Sequence, residues 1–176
     1  QTIEFLKKQQ SALWITPNQA LSFNTQTRLE EASIDFKHYT KHFKKDKAQG
    51  YNKADKLIVC LNSLHYIKQR NYDVVIIDES ETFLKKWFDN TTLKKKAECW
   101  QVFHRVLANC KKCIMLDAFT SKISLDFIKS IEPEASIKLL QREQETSDRV
   151  VKESSSFNKW MHDIITDLKE GKRIFI

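Results

Sequence analysis

The chain has 176 residues, 41% of them hydrophobic, and 30 Lys+Arg against 23 Asp+Glu leave a formal net charge of +7. That length supports one domain with a proper core and excludes a disordered chain. No apolar run approaches the ~18 residues needed to span a bilayer, and the start QTIEFLKKQQ lacks the basic-then-apolar layout of a signal peptide, which predicts a soluble, unsecreted protein with no membrane partner. The basic surplus suits a polyanion.

Along the chain, short apolar runs alternate with helical patterns, the signature of an α/β domain whose mostly parallel sheet has helices on both faces. Ile3, Phe5 and Leu6 read as the end of a helix, and ALWIT, Ala12 to Thr16, as a strand that Pro17 breaks. Asn18 is placed to cap a helix carrying Ala20, Leu21, Asn24, Thr27, Arg28 and Leu29, ending before Ser33. A short strand from Ile34 to Tyr39 leads into a basic loop from Thr40 to Asp55. Next come a strand at Leu57 to Leu61, a helix from Ser63 to Arg70, and a strand at Val74 to Ile77 running into Asp78 and Glu79. Glu81 to Asn109 reads as two helices with a turn near Asp89 and Asn90.

A strand at Cys113 to Ala118 and a helix from Ser121 to Ile131 follow, the helix turning Ile123, Phe127 and Ile128 to the sheet. Pro133 marks a turn before a strand at Ile137 to Leu140, and Gln141 to Ser156 is a polar linker. The last helix, with Phe157, Trp160, Met161, Ile164, Ile165 and Leu168, ends at Gly171 as a C-cap, and Arg173 to Ile176 opens another strand. A sequence that starts inside a helix and stops on an opening strand reads as an excerpt of a longer protein.

Four apolar residues followed by two adjacent carboxylates put charge at the rigid end of a buried strand, where α/β enzymes keep their chemistry. In nucleotide-hydrolysing enzymes such an Asp holds Mg²⁺, usually through water, and such a Glu orients or deprotonates the attacking water. An acidic N-cap on the next helix, through Asp78 or Ser80, explains the pair as well. Thr16-Pro17-Asn18, Asn62-Ser63-Leu64 and Asp117-Ala118 close or follow three other strands, so all four clusters are expected on one rim. Cys110-Lys-Lys-Cys113 has the spacing of half a zinc knuckle, with Cys99 or His104 as further ligands, but lacks a second such pair; free thiols in a reducing compartment are the simpler reading. The basic runs at Lys41 to Lys47 and Lys94 to Lys96 read as solvated faces. Only Gly50 and Gly171 are glycines, so no glycine-rich phosphate loop can be written within these residues.

VVIIDESET resembles motif II of superfamily 2 helicases; ITPNQALSFNTQTRL is similar to motif Ia, LIVCLNSLHYI to motif Ib, and CIMLDAFTS stands where motif III would be. The likeness runs from about Ile15 to Phe175 and is nearest to the origin-of-replication-binding helicases of large DNA viruses. Asp78-Glu79-Ser80-Glu81 is neither the DEAD nor the DEAH box, and Asp117-Ala118-Phe119-Thr120 is not Ser-Ala-Thr.

The resemblance implies a RecA-like P-loop NTPase domain over residues 1–150, truncated before its phosphate loop, and over 151–176 a linker and the start of a second RecA-like domain. It implies ATP and Mg²⁺ as cofactors, with Asp78 on the metal, Glu79 on the catalytic water, and Asp117 near them as cofactor contact, or else as a helix-capping carboxylate. Pro17, Asn18 and Gln19, and one strand over Asn62 and Ser63, would hold phosphates of a nucleic-acid strand through backbone and side-chain amides, with Arg28 adding a charge. Trp14 and Trp160 read as core, and Trp87 as open to base stacking. The implied function is an ATP-dependent viral DNA helicase of origin-binding or replicative type, working on DNA with primase or other replisome proteins inside the host cytoplasm or nucleus. This stretch alone should not hydrolyse ATP. A Mg²⁺-dependent nuclease built on Asp78, Glu79 and Asp117, and a non-enzymatic nucleic-acid-binding module of RecA-like fold, are the rival readings.

Overall fold

The apolar runs become strands because both of their faces are covered, a requirement that parallel sheets impose. A computed structural model describes residues 2–41, 47–88, 93–140 and 156–170. Its strands are β1 (Ala12–Thr16), β2 (Lys37–His38), β3 (Lys56–Cys60), β4 (Val74–Asp78) and β5 (Lys112–Leu116), ordered β2-β3-β1-β4-β5 with every pairing parallel. The register aligns their starts and their ends. Ala12 lies opposite Lys56 and Val74, and Val74 opposite Lys112; at the other end Thr16 meets Cys60 and Asp78 meets Leu116. All the carboxyl ends therefore share one edge.

Alternation along the strands sorts the core into two layers. Leu13, Ile15, Leu57, Val59, Val75 and Ile77 face one way. They pack against α3 (Lys47–Lys53), a 3₁₀ segment (Leu61–Tyr66), α4 (Ser80–Phe88) and α5 (Lys96–Ala108) through Tyr51, Leu64, Phe83 and Phe103, all fully buried. Ala12, Trp14, Ile58, Val74 and Ile76 face the other way, against Leu6 of α1 (Thr2–Lys7), Leu29 of α2 (Gln19–Glu31), Ile34 and Phe36. A five-stranded all-parallel sheet with helices on both faces is the α/β architecture predicted, consistent with a RecA-like fold.

Several local expectations change. The basic loop contains α3, with Gly50 inside it. Burial of Tyr51, whose hydroxyl donates to the Tyr39 carbonyl at 3.3 Å, outweighs the weak helix propensity of glycine. The helix predicted from Ser63 to Arg70 is instead the shorter 3₁₀ turn. The amides of Lys68, Gln69 and Arg70 all donate to Asn52 Oδ1, at 3.1, 3.0 and 3.2 Å, so they do not continue a helical ladder. The strand expected over Ile34 to Tyr39 shortens to two residues.

On α6 (Lys122–Ile131), Phe127 and Ile128 pack on the core as expected, but Ile123 is 65% exposed, because Ser124 takes the inward position beside it. Residues 137–140 form no strand; Ile137, Leu139 and Leu140 are exposed, and an unpaired apolar segment gains nothing from extension. Trp87 is buried in an aromatic cluster with Phe83, Trp100 and Phe103, which removes it as a base-stacking platform.

The chain divides into two compact units, Gln1–Ser136 and Ile137–Ile176. In the second, Ser156 Oγ accepts from Lys159 N at 3.2 Å to start α7 (Phe157–Lys169), and Trp160 is half-buried. The turn near Asp89, most of the basic run after Lys41, the linker before Ser156, the Gly171 cap and the final strand lie outside the described residues. Among the described residues no helix is long and apolar enough to cross a membrane, all four cysteines are free thiols, and no group of three or more His, Cys, Asp or Glu is placed to hold a metal.

Candidate functional site at the carboxyl edge

Asp78 closes β4 half-buried, and its Oδ2 accepts from Trp14 Nε1 at 3.1 Å and Thr25 Oγ1 at 3.2 Å. Those donors sit on β1 and in the second turn of α2. They explain why α2 buries Thr25 where an apolar residue would be expected. One carboxylate oxygen is thus fixed toward the neighbouring strand, and Oδ1 takes no protein hydrogen bond among the described residues. Glu79 is exposed and holds φ at 47°, the left-handed region that glycine favours. That turn ends the strand and starts α4, whose Phe83 N–H donates to the Glu79 carbonyl at 2.8 Å.

Asp117, just past β5, uses both oxygens locally: Oδ2 accepts from Glu81 N at 2.8 Å and Oδ1 from Phe119 N at 2.9 Å. It caps α4 from a neighbouring strand end. Glu81 in turn accepts from Ser121 N at 2.7 Å and Ser121 Oγ at 2.9 Å, and also from Ser124 Oγ, at the start of α6. Burial pushes the Glu81 carboxyl up, but the bonds from Ser124 and Ser121 outweigh it and hold the group below the ordinary carboxylate value.

The other rim residues divide between local structure and solvent. Pro17 is buried and has no N–H to offer; its carbonyl accepts from Lys86 Nζ of α4 at 2.6 Å. Asn18 Oδ1 accepts from Leu21 N at 2.8 Å, the predicted N-cap, while its carbonyl takes Thr16 Oγ1 at 3.0 Å. Gln19 and Asn62 are exposed and Ser63 is half-buried on the 3₁₀ turn, with no side-chain cap at Cys60. Arg28 is exposed ten residues beyond Asn18, roughly 15 Å along α2 from the rim at the rise of an α-helix. The sheet therefore gathers Asp78, Glu79, Asp117, Pro17, Asn18, Gln19, Asn62 and Ser63 on one edge, and leaves Arg28 away from it.

Sequence reasoning missed Trp14, Thr25, Glu81, Ser121, Ser124 and Lys86. A Ser-x-x-Ser spacing at a helix start is a visible signal for a carboxylate partner; the Trp14 contact had none, since an indole inside an apolar strand reads as core.

The donor set fits Mg²⁺ carried by a triphosphate. That ion keeps several waters and takes one or two carboxylates, and Asp78 offers a single uncommitted oxygen beside an exposed Glu79. It fits a protein-held metal poorly, because both Asp117 oxygens are engaged.

Comparison with known proteins bears on the same span. The family described as "Origin of replication binding protein" matches residues 2–157. The chain belongs to this family. It is 31% identical over 87 residues to the replication origin-binding proteins of human herpesvirus 6A (strain Uganda-1102) and 6B (strain Z29), covering 49% of this chain and 11% of each relative. This origin-binding-family chain thus spans about a ninth of the curated relatives it matches.

Proposed function

We propose that this origin-binding-family chain is the first RecA-like part of a DNA helicase of superfamily 2, acting in viral DNA replication inside the host cell and driven by Mg²⁺-ATP. One observation carries the reading: Asp78, with one oxygen anchored and one uncommitted, stands beside exposed Glu79 on the edge where the four other strands end. Bound Mg²⁺ would neutralise the developing phosphate charge. Asp78 would orient the metal's waters, and Glu79 would accept the proton of the attacking water. Gln19, Asn62 and Ser63 would face the phosphates of a DNA strand, contacts that position without reading bases.

The reading needs a phosphate loop that these residues do not contain. It is tested in the full-length protein by DNA-stimulated ATP hydrolysis. Glu79→Gln should lower turnover by about 10²–10⁴-fold, the usual worth of a general base, with nucleotide affinity retained. Wild-type turnover in that variant, or no nucleotide binding by the complete protein, would remove the assignment. Origin recognition and contacts with primase or other replisome proteins belong to the same proposal at the level of the whole protein.

A further inference from the structure

Among the described residues the carboxyl edge carries Asp78, Glu79, Glu81 and Asp117 beside Lys86, whereas the amino edge, one strand length or about 16 Å away, gathers Lys8, Lys56, Lys68, Arg70, Lys111 and Lys112 against Asp55, Asp73 and, beside Lys68, Glu98. The register sets this up, because the row Lys56, Ala12, Val74, Lys112 crosses the sheet at the strand starts. Two of these heads are braced: Lys56 Nζ donates to the Leu6 carbonyl at 3.1 Å, and Lys112 Nζ lies 4.7 Å from the Phe5 ring centroid. Arg70 pairs with Asp55, and Lys111 with Asp73 at 2.8 Å. Exposed Lys8 and Lys68 have no ion-pair partner among the described residues.

We infer that this amino edge is a second, sequence-independent binding surface for the phosphate backbone of duplex DNA, separate from the strand path at the rim. The backbones at Lys56 and Lys112 stand three strand spacings apart, about 14 Å, so the edge is long enough to face several successive phosphates of a duplex strand. A single strand is the poorer match, since base stacking needs an open ring. Phe5 is covered by Lys112, and Tyr72 is buried with Arg70 5.7 Å from its ring centroid. The edge offers charge without a platform. The inference rests on the reading that the protein works on DNA, but on neither ATP nor Mg²⁺.

The test measures binding of a fluorescent random-sequence duplex, and of a single strand of equal length, to the full-length protein across a salt series without nucleotide or Mg²⁺. Combined Lys8→Glu, Lys68→Glu and Lys111→Glu should weaken duplex binding at least about tenfold and flatten the salt slope by about 0.9 for each phosphate no longer neutralised. The Lys→Gln triple, which adds no repulsion, should flatten it equally while the circular-dichroism spectrum stays that of the folded wild type. A duplex slope unchanged in the Lys→Gln triple overturns the inference. An equal weakening on the single strand overturns the duplex assignment, and neither result touches the hydrolysis reading, which Glu79→Gln probes separately.

Discussion

Glu81 and Asp117 cap one another's neighbouring helices: Asp117 Oδ2 accepts the Glu81 N–H at 2.8 Å, and the Glu81 carboxylate accepts from Ser121 N at 2.7 Å at the head of α6. The ends of β4 and β5 are thereby locked through side chains as well as through the sheet. Ser121→Ala should cost about 1 kcal/mol, the worth of a cap. Glu81→Ala should cost about 2 kcal/mol, because it strands two hydroxyls and an amide. Chemical denaturation of both and of their combination should show non-additivity; simple additivity would mean the two groups are not coupled.

Acid should act on the same lock. The folded-state value of Glu81 lies below its ordinary 4.5, so its stabilisation is present above that pH and is lost as pH falls through the depressed folded value. Asp73, lowered by the bonds from Lys111 and Ser11, has the same sign. Melting temperature followed downward from pH 4.5 should fall less steeply in Glu81→Gln than in the wild type. Parallel curves would assign the acid sensitivity elsewhere.

How much of this was readable beforehand depended on distance along the chain. Ala12 to Thr16, Val74 to Ile77 and the Asn18 cap are local patterns, and each formed where expected. The rim was legible too, because parallel strands connected by helices must end on one edge. What failed was non-local. Asn52 ends the turn after β3 from fourteen or more residues away, Trp14 reaches Asp78 across 64 positions, and Trp87 is covered by residues of a different helix. Ser22, Thr25 and Gln26 are buried on α2 against the rule that polar residues face water. Two have visible partners across the fold: Ser22 Oγ lies 3.0 Å from His38 Nε2, and Thr25 bonds Asp78. Periodicity does not encode such partners.

Asp78 is held by two donors on the layer opposite α4, so its orientation should depend on them. Trp14→Phe keeps an aromatic six-membered ring but removes the N–H together with the indole's five-membered ring, so it costs about 1.5–3 kcal/mol for the bond to a charged group plus the packing lost in the core. In the full-length protein, Trp14→Phe and Thr25→Val should each raise the Mg²⁺ concentration needed for half-maximal ATP hydrolysis, with the double variant worse than either. An unchanged Mg²⁺ requirement in the double variant would show that Asp78 needs no such support.

Asn52 closes the amides of Lys68, Gln69 and Arg70 with one oxygen, and its Nδ2 donates to Tyr66 O at 3.3 Å. Asn52→Ala removes the acceptor from three N–H groups together, and Asn52→Asp keeps the oxygen while adding charge. The alanine variant should lose about 2 kcal/mol and the aspartate variant less. Hydrogen exchange should report faster amides at 68–70 in the alanine variant alone; equal protection would place the ordering of this turn in its apolar packing.

Glu79, the proposed catalytic carboxylate, sits on a strained backbone, its φ of 47° being one that a β-carbon disfavours. A left-handed non-glycine residue costs about 1–2 kcal/mol, and a fold keeps that cost where the position is held for another reason. Glu79→Gly should therefore stabilise the chain by up to about 1 kcal/mol, offset in part by added freedom of the unfolded state. Glu79→Gln, which keeps the β-carbon, should leave stability within about 0.5 kcal/mol of wild type. Both should lose ATP hydrolysis in the full-length protein. If Glu79→Gly melts lower than Glu79→Gln, the turn is not strained, and the carboxylate sits there for structure. If it melts higher while turnover is lost, the residue sacrifices stability for chemistry, as expected of a group held over a triphosphate.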